Sequence, residues 1–198
     1  MLGRYAMFRT IEDQIKYWEN MSTTSVGPLS DLDIGHRISE FVDRPKGRVL
    51  DFGCGVGRLY RGLQPFDYYV GVDISTRYLQ LFRASRPHVP LICIKDFIVP
   101  FIPNDFDTII CYSVFTHLHK EHIEKLLPQF HRVLRPKGIA LISIFESGVV
   151  GVSQIHNWIT HERKWFLKTC ERYGFTKLNE INIPEVHTHQ TLFMLENR

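Results

Sequence analysis

Val49-Leu-Asp-Phe-Gly-Cys-Gly-Val-Gly-Arg58 runs from a short apolar strand into three glycines at alternate positions, and a helix is expected after them. Glycines at such a bend let the backbone turn sharply and admit a ligand against the main chain, where a Cβ would collide. Asp51 at the strand end suits a cationic group such as an amine and does not suit a pyrophosphate. A dinucleotide loop would read GxGxxG, whereas this one reads GxGxG with Arg58 in the sixth place, a poor match to a phosphate-binding loop. Twenty-two residues after Asp51, at the end of a second strand, stands Asp73. A carboxylate there accepts both hydroxyls of a ribose.

Working outward, short β-forming runs alternate with helical periodicity. Strands are expected at residues 48–52, 67–73, 91–95, 106–112 and 139–145, with two more at about 175–183 and 190–196. Their near-continuous apolar character suits a parallel sheet covered on both faces. Helices are expected after Ser75 or Thr76 (Tyr78, Leu79, Leu81, Phe82), along Ile123 to Leu134, and over about 162–173 with Gly174 as its terminating glycine. Pro128 predicts a kink or split in the second of these, because it removes a backbone hydrogen bond. Residues 96–105, with Pro100 and Pro103, leave too little chain for a regular crossover helix. The expected fold is α/β: a doubly wound, mostly parallel seven-stranded sheet. All 198 residues read as a single domain, with residues 46–198 the sheet core and 1–45 an N-terminal helical cap. That cap holds one amphipathic helix over 10–21 (Ile11, Ile15, Trp18) and another from residue 30 or 31 to about 42.

A chain of 198 residues with 44% hydrophobic content buries roughly 70% of its unfolded surface, enough for a real core. Lys and Arg outnumber Asp and Glu by 24 to 21 without forming a basic block, which argues against affinity driven by phosphate neutralisation and makes nucleic acid an unfavoured partner. The apolar run Ile139–Ile142 ends at Ser143, far short of the ~20 residues of a membrane span. The N-terminus lacks the apolar core of a signal peptide. Cys54, Cys93, Cys111 and Cys170 show no CxxC spacing and read as reduced thiols of a cytoplasmic protein.

Four segments in order resemble the class I S-adenosylmethionine-dependent methyltransferases. DFGCGVG at 51–57 resembles their D/E-x-G-x-G-x-G, and DFIVPFIPNDFD at 96–107 their acidic residue and Pro-containing passage. FDTIICYSVFTHL at 106–118 resembles their fourth-strand motif, and LLPQFHRVLRPKGIALIS at 126–143 their following helix, turn and fifth strand. The resemblance covers residues 46–145 well, 162–196 more weakly, and the first 45 not at all. It implies a Rossmann-like methyltransferase fold and S-adenosyl-L-methionine as cofactor. It also implies that Asp51 and the backbone of Gly53, Cys54 and Gly55 face the cofactor's methionine end. Asp73 then takes the ribose, Ile74 lies against the adenine, Asp96 receives the adenine amino group with Phe97 beside the ring, and Tyr112 meets the amino-acid end through its main chain.

Methyl transfer from a sulfonium needs alignment and exclusion of water, and a base only where the acceptor arrives protonated. His117, in the turn after the fourth strand, is the candidate base, with Glu146 next and His187 and His189 behind them. His117, His119 and His122 lack the spacing and partners of a metal site. Tyr5, Phe8, Tyr17, Trp18, His156 and Trp158 are candidates to cover the crevice and shape an acceptor pocket. Cys-Tyr-Ser-Val stands where amino-methylating enzymes would carry Asn/Asp-Pro-Pro-Tyr, and no Pro-Cys pair is present. A small molecule or a sugar or lipid intermediate is therefore the expected acceptor; the acceptor atom and the state of assembly stay open. The competing reading is a catalytically inactive module that keeps the cofactor and serves a partner; an NAD-dependent oxidoreductase is disfavoured by the glycine spacing.

Overall fold

The computed structural model describes residues 10–20, 31–42, 46–147, 158–184 and 189–198. Five parallel strands form the body of the sheet: β1 (Arg48–Phe52), β2 (Tyr68–Asp73), β3 (Leu91–Cys93), β4 (Phe106–Cys111) and β5 (Leu134–Glu146). β6 (Thr160–His161) is a two-residue strand on the end of β5 that the sequence pattern does not announce. β7 (Phe175–Pro184) and β8 (His189–Asn197) close the sheet antiparallel, giving the order β3-β2-β1-β4-β5-β8-β7. The seven-stranded, mostly parallel sheet expected from the sequence is present, with β6 beside it.

Helices cover both faces. α2 (Asp31–Val42) and α3 (Thr76–Ser85) bury Ile34, Ile38, Leu79 and Phe82 against Val49, Tyr69, Ile110 and Leu141. α4 (Lys120–Val133) and α5 (Arg163–Arg172) bury Leu126, Phe130 and Phe166 against Leu50, Val70, Ile142 and Phe193. α1 (Ile11–Asn20) opens with a reciprocal capping box: Asp13 N–H donates to Thr10 Oγ1, and Thr10 N–H to Asp13 Oδ2, both at 3.1 Å. Ser75 caps α3 by accepting from Tyr78 N–H, and Gly174, at φ +88°, follows the end of α5 as expected.

Three expectations need correction. No regular helix follows the glycine loop: residues 56–63 are turns, because Gly57 and Gly62 leave only four residues between them and Pro65 follows. α4 runs unbroken through Pro128; the proline lies on the exposed face, where the carbonyl it leaves unbonded meets water. The Pro136-Lys-Gly138 turn is absorbed into β5 as a bulge between its pairings with Phe106 and Thr108. The passage between β3 and β4 has no helix, and Arg132 of α4 pins it by donating to the carbonyls of Phe101 (2.6 Å) and Val99 (2.7 Å).

β1 lies between β2 and β4, so the chain winds outward in opposite directions from it. Such a reversal opens a crevice beyond the carboxyl ends of the strands. The turn that replaces the expected helix packs backbone to backbone on α2: a Cβ at Gly62 would stand 2.6 Å from Gly35 Cα and His36 N. Gly62→Ala is therefore expected to destabilise the protein by about 1–3 kcal/mol, read from urea unfolding, since main chain and not a flexible side chain must yield.

Candidate functional site

The glycine loop sits at the mouth of this crevice with its donors already engaged. Gly53 and Cys54 N–H donate to the Val72 carbonyl (2.8 and 3.0 Å) and Gly57 N–H to the Cys54 carbonyl (2.9 Å). Gly55 N–H donates to Asp73 Oδ2 at 2.8 Å. An anion-binding loop presents its N–H groups to the ligand; here these four point into the protein. Gly55, at φ +54°, carries no neighbour within 4 Å of where a Cβ would be, so its outer side is open.

Two carboxylates line the same crevice. Asp51 is 2% exposed and accepts from the Tyr69 hydroxyl at 2.5 Å. Burial raises its carboxyl to about 7; the Tyr69 hydrogen bond opposes the rise, Asp73 adds to it, and Arg58 offsets part of it. Tyr69 was not singled out by the sequence. Its signal is the register: Tyr69 pairs with Val49 and Asp51 with Gly71, which puts the ring diagonally beside the acid on one sheet face. Asp73 is also buried, and its Oδ1 accepts from Ser75 N–H at 2.8 Å. Burial raises it as well, against the hydrogen bonds from Ser75, Gly55 and Ile74.

The remaining residues fall at several distances from this centre. Ile74, Phe97 and Val114 are half-buried against the α4-side core. Asp96 is exposed and accepts from Ile98 N–H (2.9 Å), while one face of Phe97 is covered by His122 at 4.7 Å. Tyr112 is buried at the end of β4, and Ser113 after it adopts φ +60°. Glu146 ends β5 with its carboxylate engaged. It shares the sheet face of Ile142 and Ile144, accepts from Thr191 Oγ1 (2.6 Å) and pairs with Arg163 (3.1 Å), so its charge is committed to α5. Tyr5, Phe8, His156 and His187 lie outside the described residues. Among the described residues, no group of three His, Cys, Asp or Glu side chains is placed to hold a metal, and no helix is long and apolar enough to cross a membrane.

α1 lies over the strand ends between the 3-10 turn Phe115–His117 and the start of α3. Its expected apolar residues Ile11, Ile15 and Trp18 are only half-buried, and the buried one is Gln14, which donates to the His117 carbonyl at 2.6 Å. The reason is what it covers: the ends of elements expose carbonyl and N–H groups that need polar partners. Trp18 sets its ring between His117 (4.8 Å) and Tyr78 (6.3 Å). Glu19 accepts from Thr76 N–H, Thr76 Oγ1 and Arg77 N–H at the start of α3. Burial alone would raise the Glu19 carboxyl, but these hydrogen bonds and Lys95 hold it below its usual range. A lowered carboxyl stabilises the docked state above its unfolded value and loses that contribution as pH falls. Glu19→Ala is accordingly expected to speed amide exchange in α1 at neutral pH while leaving the sheet amides unchanged.

Residues 49–138 match the model of a methyltransferase domain family. An uncharacterized methyltransferase of Oceanobacillus iheyensis is 30% identical over 122 residues, 60% of this chain and 57% of that protein. A ubiquinone biosynthesis O-methyltransferase of Rickettsia bellii is 26% identical over 163 residues, 75% of this chain and 67% of that protein. A solved SAM-dependent methyltransferase from Leishmania major superposes with a TM-score of 0.78 at 16% identity, covering 93% of this chain and 82% of that one. The chain thus spans little more than half of the first relative's length, while its fold is shared almost throughout. Over residues 49–138 the chain is similar to a methyltransferase domain family, and it shares the fold of a solved SAM-dependent methyltransferase.

Proposed function

We propose that the protein transfers a methyl group from S-adenosylmethionine to a small-molecule acceptor, with the cofactor held at the carboxyl ends of β1, β2 and β4. One observation carries this reading. The crevice buries two carboxylates beside a loop whose Gly53, Cys54, Gly55 and Gly57 N–H groups already have acceptors, so it offers acceptors to a cation bearing hydroxyls and little to a pyrophosphate. The open side of Gly55 gives such a ligand room against the main chain.

When bound, S-adenosylmethionine supplies a methyl group on a positively charged sulfur, already activated for in-line displacement. Asp51 would hold the ammonium of the amino-acid end, and Asp73 would accept from the ribose hydroxyls. Ile74 and Phe97 border the adenine, and Asp96 receives its amino group. α1, with Trp18 against His117, shields the reacting atoms from water, and holding both reactants in line supplies several kcal/mol or more. An acceptor hydroxyl, as the O-methyltransferase relative's name implies for that protein, arrives with a proton to lose; His117, at the wall of the crevice, is the residue to take it.

Asp73→Ala is expected to weaken S-adenosylhomocysteine binding by about 1.5–3 kcal/mol, the loss of two charge-assisted hydrogen bonds, in calorimetric titration; unchanged affinity contradicts the ribose role. Gly55→Val is expected to abolish binding in a folded chain. The sign of the pH dependence follows from Asp51. Its folded value near 7 lies above its ordinary 3.8, so the ligand-free chain loses stability as pH rises between these values, while affinity for the cofactor's ammonium rises with pH and levels above 7. Tyr69→Phe removes the hydrogen bond that favours the carboxylate and moves that midpoint upward. With His117 as base, His117→Ala lowers kcat and leaves S-adenosylhomocysteine affinity intact.

A further inference from the structure

The sheet face under α2 is apolar along β5 and β8, with Leu141, Leu192 and Met194 in its core. Near the carboxyl end of β5 this pattern breaks at Ser143 and Gln190, which are 0% and 1% exposed. Burying a hydroxyl and an amide is unfavourable unless both are hydrogen-bonded, and here they close a ring with Ser113. Ser113 N–H donates to Ser143 Oγ (2.7 Å), Ser143 Oγ–H donates to Gln190 Oε1 (2.7 Å), and Gln190 Nε2 donates to Ser113 Oγ (3.1 Å).

What the ring holds is an unfavourable backbone. Ser113 has φ +60°, a left-handed conformation that residues with a Cβ avoid and glycine does not. The same turn seats the Val114 side chain over Gly53, where a Cβ on that glycine would collide with Val114 Cγ2. The turn after β4 and the glycine loop after β1 are thus fitted to one another. We propose that Gln190 and Ser143 are positioning residues: they hold Ser113 left-handed and so aim the Tyr112–Ser113 main chain and Val114 at the cofactor's amino-acid end. This rests on the methyltransferase reading above and assigns a role in it to the antiparallel strand β8, outside the residues matched by the family model.

The test uses the property that separates serine from glycine. S-adenosylhomocysteine affinity and melting temperature are measured for the wild type, Gln190→Leu, Ser113→Gly and the Ser113→Gly/Gln190→Leu pair. Gln190→Leu is expected to weaken binding about tenfold. In the Ser113→Gly background the same substitution is expected to change affinity by less than about threefold, because glycine takes φ +60° unaided. Because Ser113→Gly also removes the Oγ that Gln190 donates to, the melting temperature falls less in that background as well. Ser113→Ala, which lacks Oγ but keeps the Cβ that disfavours φ +60°, is the control: it is expected to weaken S-adenosylhomocysteine binding where Ser113→Gly does not. If Gln190→Leu does not fold, Ser143→Ala, which removes only the acceptor for Ser113 N–H and the donor to Gln190, takes its place in the cycle. An equal loss of affinity in both backgrounds, or none in either, overturns the positioning role while the cofactor reading stands. A folded wild type that binds no S-adenosylhomocysteine overturns the cofactor reading itself, and this role with it.

Discussion

Burying Asp51 and Asp73 in one crevice is the constraint from which the site's chemistry follows. A buried carboxylate must find hydrogen-bond donors or a counter-charge, or take up a proton. Asp73 takes the first course through Gly55 and Ser75 N–H, and in doing so ties the glycine loop to the start of α3. Asp51 has one hydroxyl donor and is pushed to about 7, half-protonated near neutrality. The unmet part of that demand is a demand for a cation. Four N–H groups of the loop, those of Gly53, Cys54, Gly55 and Gly57, are given to acceptors within the protein.

The same crevice explains α1. A helix laid across strand ends covers groups that need polar partners, so Gln14 and Glu19 dock it and its apolar residues do not. Trp18 then stands against His117 in the turn after β4.

The sheet was legible because parallel strands buried on both faces read as near-continuous apolar runs, and because the crevice acids terminate two of them. The β1–β2 acids could be placed from spacing alone. The helix after the glycine loop misled, since strand, glycines and helix usually follow one another, and the Gly35–Gly62 contact that replaces it joins residues far apart in sequence. Glu146 ends a strand at the crevice side of the sheet, but alternation puts it on the face of Ile142 and Ile144, where Arg163 and Thr191, distant in sequence, take its carboxylate. Tyr69 and Gln190 were invisible as site residues because each acts through a cross-strand or cross-sheet hydrogen bond, which register creates and local pattern does not reveal. Gln14 ran against hydrophobic periodicity because its partner is a main-chain carbonyl.

The claim that the crevice is built for a cation is tested most directly by calorimetric titration with S-adenosylhomocysteine and with NAD⁺ near pH 6.5, each in two buffers of different ionisation enthalpy. Binding of S-adenosylhomocysteine with release of a fraction of a proton that disappears by pH 8.5, and no binding of NAD⁺, is the expected result, because the ligand's ammonium drives Asp51 to its carboxylate. Binding without proton release, or binding of NAD⁺ in its place, contradicts it.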